Sequence, residues 1–373
     1  METQGKLKKI VISGDPRSRG IQYGKKAKPL IEKAIGIYQE VFLEESGVPW
    51  EKAIDFSKGF SKRVKDYDES MVEEIRGIAE GAGRSFEEIL TVNLRTEILN
   101  GLKESKEGCT SFCALPEITR EQRTLLAQNW DYKPWAAETM LLLQVHGQEG
   151  PDILTIVEAG QLARFGMNSA GIGICNNFIQ CETDGKNMEK GVPTTFIRRK
   201  ALSHEKYYDV LATILHTPRS FSANYLVATS EGDGDAINIE ATPETAYFLY
   251  PKEGLITHSN HFKGAGPGYV GIMRRGVENS IYRDRRAEQL LRRKTGKIDA
   301  GEMMEALKDH FGHPRSICRH ADGKKARKDQ WRTNASVIMD LNSKVLWLAI
   351  GPPCEYAYQR FTFDVNEKSF PYP

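Results

Sequence analysis

The spacing of apolar and polar positions along the 373-residue chain changes near residue 108. After a short β-type run, "KKIVIS", the first hundred residues carry helical spacing. Between Gly20 and Glu45 the apolar positions Ile21, Leu30, Ile31, Ala34, Ile35, Tyr38, Val41 and Phe42 form a buried stripe from Leu30 onward. Helical patterning continues through "DESMVEEIRGIAEGAG", and "SFEEILTVNLRTEIL" opens with Ser85 and Glu88 in capping-box spacing. From Thr110 the runs become short and β-type: "RTLLAQNWD", "TMLLLQVHG", "DILTIVEAG", "QLARFGMN" and "GIGICNNFI", punctuated by Gly, Pro, Asp and Glu. Two helical segments follow, from Thr194 to Ser203 and from Lys206 to His216. The strands "NYLVATS", "DAINIEA" and "TAYFLY" come next. Helices return between Glu278 and His310, and "NASVIMDL" with "KVLWLAIG" closes the pattern as a strand pair. Strands clustered together, with helices before and after them, predict an α+β fold with antiparallel sheets between helical layers.

Composition narrows the field. A chain of this length buries roughly 75% of its extended surface and needs no disulfide staples. Its 52 lysines and arginines nearly balance 50 acids, so charge gives no reason to expect nucleic acid or a membrane surface as partner. The six cysteines show no framework spacing. "METQGKLKKIVISG" has no apolar h-region, no run approaches the ~18 apolar residues of a membrane span, and "SFPYP" is not a peroxisomal address. The expectation is a cytoplasmic protein with free thiols.

The sharpest compositional seam is "KEGCTSFCALP", where Gly108 precedes Cys109 as a strand begins. The bland reading of Cys109 is a small buried hydrophobe. A chemical reading also exists, because glycine removes bulk from the carbonyl that the next side chain would attack. If Cys109 attacked the Gly108 carbonyl, the peptide would become a thioester, and hydrolysis would leave Cys109 as a new N-terminus. An α-amine with a reference pKa of about 7.7–8.0 then sits beside a thiol of about 8.5. One residue would thus supply both nucleophile and base.

"GCTSFCALP" followed by "LLAQNWDY" resembles the acyl-coenzyme A:6-aminopenicillanic acid acyltransferase family, self-cleaving members of the cysteine N-terminal nucleophile hydrolase superfamily. "RSRGIQYGKKA", "FGMNSAGIGICNNF", "LITHSNHF" and "SICRH" follow the same family's order, so the resemblance runs from about residue 12 to about residue 350. It implies a four-layer αββα sandwich. It also implies cleavage between Gly108 and Cys109 into an α chain, 1–108, and a β chain, 109–373, that remain one structural unit as each other's partners. The implied activity is transfer of an acyl group from a small amide or thioester onto Cys109, then onto an amine or water. A strict amidohydrolase of small N-acyl amines or N-acyl amino acids is the alternative. Acyl-coenzyme A would serve as an acyl donor, and no cofactor is implied. By resemblance Asp131 orients Cys109, Asn260 stabilises the oxyanion with Asn177 as a second donor, and Arg319 acts electrostatically.

Each residue also has a plainer reading. Asp131 precedes a Pro-containing turn, Asn260 closes a β-type run, Asn176 competes with Asn177 for register, and Arg315 competes with Arg319. Cys113 shares a strand face with Cys109 and reads as packing. His310, His313, Cys318 and His320 crowd together, but their spacing matches no standard zinc pattern and Pro314 interrupts them, so no metal is expected. No GxSxG elbow, Walker loop or dinucleotide fingerprint appears. The basic run at 315–332 suggests a rival of another class, a non-catalytic binding module that uses this loop.

Overall fold

The computed structural model describes residues 7–102, 108–264, 277–326 and 329–364. Fourteen strands among them form two sheets. The larger runs β1 (Lys9–Ile12), β4 (Met140–Val145), β5 (Ile153–Glu158), β6 (Phe165–Asn168), β7 (Ile172–Phe178), β8 (Ala223–Thr229), β9 (Asp235–Ala241) and β10 (Ala246–Leu249). The smaller runs β11 (Leu255–His258), β2 (Gly108–Ala114), β3 (Leu125–Tyr132), β12 (Arg332–Asp340), β13 (Val345–Ala349) and β14 (Gln359–Phe361). Pairing is antiparallel except where β1 runs parallel to β4, a departure from the all-antiparallel expectation. The long helical excursion between these two strands allows it, since parallel neighbours need a long crossover.

That excursion holds α1 (Pro16–Ser46), α2 (Trp50–Lys58), α3 (Ser61–Tyr67), α4 (Glu69–Ala82), α5 (Phe86–Asn93) and α6 (Arg95–Leu102). The Ser85–Glu88 capping box forms as its spacing predicts. Helices α1 and α4 cross through glycines spaced four apart on each. A Cβ on Gly20 would lie 2.0 Å from the Glu74 carbonyl oxygen, and one on Gly77 would lie 2.2 Å from that of Arg17. The two backbones therefore touch where side chains would normally separate them.

Helices α7 (Thr194–Leu202) and α8 (Tyr207–His216) lie between strands of the larger sheet, with α7 on β6 and β7. Helices α9 (Val277–Arg292) and α10 (Ala300–Leu307) cover the smaller sheet. Alternation along β2 divides its side chains between two cores. Cys109 and Cys113 join the inter-sheet core with Leu126, Trp130 and Cys175. Phe112 and Ala114 join Ala287, Leu291 and Leu307 under α9 and α10. The layers run helix, sheet, sheet, helix, and the inter-sheet core draws residues from both sides of residue 108.

Candidate active site

Strand register decides what faces the seam. In the β2–β3 ladder Gly108 lies opposite Asp131 and Cys109 opposite Trp130, and across β3 Thr333 of β12 lies opposite Asp131. The presence of glycine before Cys109 has a steric reason. A Cβ on Gly108 would lie 2.8 Å from Arg319 Nη1 and 3.1 Å from both Cβ and Oδ2 of Asp131. Only glycine lets the carboxylate and guanidinium close on this backbone.

Asp131 is fully buried. Its Oδ1 accepts a 2.7 Å hydrogen bond from Thr333 Oγ1, while Oδ2 has no hydrogen-bond partner among the described residues. Thr333 also fixes Arg319: the Arg319 amide donates to Thr333 Oγ1 and the Thr333 amide donates to the Arg319 carbonyl, each at 3.0 Å. The bulge at Thr333–Ala335 in the β3–β12 ladder occurs at this point, as is usual where a strand re-aims side chains at a site. Arg319 is thus half-buried and turned toward Gly108, with its guanidinium also 5.6 Å from the Trp331 ring. The surface of the basic 315–332 run is carried by residues such as Lys324 and Lys325, while Arg327 and Lys328 lie outside the described residues.

Asn260, just beyond β11, reaches the seam with its carbonyl end. Its Oδ1 accepts from the Cys109 amide at 2.8 Å, while Nδ2 donates to the Phe178 carbonyl at 2.9 Å. Asn177, on β7 of the facing sheet, accepts from Ser111 Oγ at 2.6 Å and from Asn224 Nδ2 at 3.0 Å. Its own Nδ2 has no hydrogen-bond partner among the described residues. Asn176 instead binds Gln128 through its backbone: its amide donates to Oε1 at 2.9 Å and its carbonyl accepts from Nε2 at 2.7 Å.

Arg283 is a site residue that the sequence motifs do not point to. From α9 this fully buried guanidinium donates through Nη1 to the Cys109 carbonyl at 2.6 Å and to Thr110 Oγ1 at 2.7 Å. Nη2 donates to Asn260 Oδ1 at 2.9 Å, and Nε to Asn279 Oδ1 at 2.9 Å. A signal did exist. Arg283 is four and eight residues before the buried Ala287 and Leu291, on the apolar face of a helix that carries arginines all round.

Burial pushes the Asp131 carboxyl up, against the opposing pull of Arg283, Arg319 and the Thr333 hydrogen bond. Burial also lowers the Arg319 guanidinium to about 10, with Asp131 holding it up, and lowers Arg283 for the same reason. Both remain cations at neutral pH. Two guanidiniums around one carboxylate leave local positive charge, which favours a thiolate or an oxyanion. Between the sheets, a cavity of about 20 Å³ is lined by Gln128, Trp130, Arg164, Asn176, Asn177 and Arg198, among others. That is room for about one water.

The chain is similar to several known proteins. A family model described as acyl-coenzyme A:6-aminopenicillanic acid acyl-transferase matches residues 118–355. The match takes in Asp131, Asn177, Asn260, Arg283 and Arg319 and begins after Cys109. A relative from Emericella nidulans, the acyl-coenzyme A:6-aminopenicillanic-acid-acyltransferase 40 kDa form, is 26% identical over 347 residues, 92% of each chain. Among solved structures, a mutant conjugated bile acid hydrolase from Clostridium perfringens aligns with a TM-score of 0.44 at 12% identity, over 71% of this chain and 97% of its own. Penicillin V acylase from Agrobacterium tumefaciens aligns at 0.42 and 11%, over 65% of this chain and 83% of its own. The family match covers well over half of the chain and includes every polar side chain gathered around the seam beyond β2, so the protein belongs to the acyl-coenzyme A:6-aminopenicillanic acid acyl-transferase family.

Proposed function

We propose that the chain is a self-processing thiol acyltransferase or amidohydrolase of the N-terminal nucleophile type. The observation that carries this reading is convergence on one peptide bond. Asp131, Asn260, Arg283 and Arg319 come from four separate stretches of chain and all close on Gly108–Cys109, with Thr333 behind Asp131.

In this reading the Cys109 thiolate attacks the Gly108 carbonyl carbon, the C–N bond breaks, and the departing nitrogen takes up a proton. Water then hydrolyses the thioester, leaving the Gly108 carboxylate and the free Cys109 thiol and amine. The pieces 1–108 and 109–373 stay together through the core that they share. The released amine, facing Asn260 Oδ1, serves as base for the thiol. Asp131 orients that pair, and Arg283 and Arg319 stabilise its anionic form. Asn177 Nδ2 is an open oxyanion donor. Asn260 would join it by exchanging the Phe178 carbonyl for the oxyanion. The acyl group of a small amide or thioester, acyl-coenzyme A among them, passes to Cys109 and then to an amine or water.

Intact mass and N-terminal sequencing of the native protein beside Cys109→Ala test this reading. Two fragments, the larger beginning at Cys109 and present in the native protein only, are expected. A single uncut chain in both samples overturns self-processing.

A further inference from the structure

A second cluster joins three side chains that lie close in the sequence, His310, Cys318 and His320, to one that does not, Cys354. Cys354 stands at the turn after β13, remote in sequence from the 310–320 segment, and it takes the place that spacing suggested for His313. The donor atoms of His310, Cys318, His320 and Cys354 all lie within 4.8 Å of one another. His310 Nε2 is 3.0 Å from His320 Nε2, and the two sulfurs are 3.5 Å apart. His320 Nε2 is also 3.5 Å from Cys318 Sγ and 3.3 Å from Cys354 Sγ.

Hydrogen bonding does not account for this convergence. His320 Nδ1 lies 3.1 Å from Glu355 Oε1, so the ring proton belongs on Nδ1 and Nε2 is left with one lone pair. One lone pair serves one donor, yet three atoms crowd it. A central cation serves all four at once. Zinc–sulfur bonds of about 2.3 Å and zinc–nitrogen bonds of about 2.0–2.1 Å, arranged tetrahedrally, give edges of about 3.8 Å for S···S, 3.3 Å for N···N and 3.6 Å for S···N. The four separations among His320, His310 Nε2 and the two sulfurs that are given individually fall within about 0.3 Å of these edges, and the His310–sulfur separations stay within 4.8 Å. The His320–Glu355 contact matches the carboxylate that usually orients a metal-bound imidazole.

We infer that His310, Cys318, His320 and Cys354 form a structural zinc site, closed by four protein ligands. Binding releases the two thiol protons to solvent. The metal ties the turn after β13 to the segment leading into β12, and two of its ligands are the residues on either side of Arg319. It therefore holds that guanidinium against Gly108. Metal binding stands independently of the catalytic proposal, and only this link to Arg319 rests on it.

Elemental analysis of protein purified without chelator tests the site, beside Cys354→Ser, His310→Gln and Cys109→Ala. About one zinc per chain is expected in the native protein, retained by Cys109→Ala and lost several-fold in the two ligand variants. Cobalt exchanged into the native protein should show a thiolate charge-transfer band that Cys354→Ser weakens. Metal-free protein with both thiols titratable overturns the site. So does a Cys318–Cys354 disulfide, seen as a mass lower by two hydrogens, and so does stoichiometric iron or copper in place of zinc. Because Cys109→Ala reports metal without activity, a failed zinc site and a failed nucleophile give different results.

Discussion

Gly108 shows how much one missing side chain can decide. Its Cα faces Arg319 Nη1 and the Asp131 carboxylate so closely that an added Cβ must displace one of them. The guanidinium is the end of a flexible chain and will move first. Gly108→Ala should therefore fold, but cleave and turn over about 10²-fold more slowly, as expected for a displaced reacting group. Fragment formation followed by mass gives the first number and acyl transfer the second. Asp131 makes a separate prediction. Burial raises its carboxyl above the ordinary aspartate range, and the proposed orienting role needs the ionised form. Activity should rise with pH through an acid limb lying above that range, and Asp131→Asn should remove the limb along with most of the rate. A pH profile of acyl transfer that is unchanged in Asp131→Asn would count against its orienting role.

At the scale of elements, the crossing of α1 and α4 is the clearest case of backbone packing. A Cβ added to Gly20, Gly24, Gly77 or Gly81 would meet a carbonyl oxygen of the other helix at 2.0–2.3 Å. Adding even one methyl group forces the helices apart. Gly20→Ala should cost about 1–3 kcal/mol by overpacking, read as a lowered midpoint in denaturant. Gly36→Ala makes the contrast, since nothing lies near its Cβ position and alanine favours the helix by about 1 kcal/mol. Glycines four apart were visible in the sequence. Which helix they met was not, because amphipathic spacing names a buried face and leaves its partner unnamed.

Across the whole molecule, a buried charge network joins the first hundred residues to the sheets. Glu158 on β5 binds Tyr38 of α1 at 2.5 Å and Arg164 at 2.7 Å, with Arg95 of α6 at 3.5 Å. Arg164 lies over the Trp130 ring, which neighbours Cys109 across the ladder. Burial pushes the Glu158 carboxyl up, but Arg95, Arg164 and the hydrogen bonds outweigh it and hold it below the usual glutamate range. A carboxyl depressed in the fold adds stability above its unfolded pKa, and that stability is lost as pH falls through the folded value. Glu158→Gln should cost about 3–5 kcal/mol at neutral pH, because it strands buried guanidiniums. It should also flatten the acid limb of stability, measured by denaturant titration across pH.

The sequence by itself determined the α+β class, the succession of helices and strands, and the Gly108–Cys109 seam, because these depend on local periodicity and on residues close to one another in the chain. Asp131 and Arg319, by contrast, were singled out only by resemblance to a family. The sequence also drew attention to Asn177 and Asn260 without saying what the two ends of each amide meet. Tertiary structure decided that. It also brought in Arg283 from α9, Thr333 from β12 and Cys354 from beyond β13, none of which a local pattern could join to residue 108 or to residue 318. The reason is physical. Strand register and helix docking bring distant residues together according to how apolar faces pack, and a polar side chain carried along on such a face shows no trace in the chain of what it will meet.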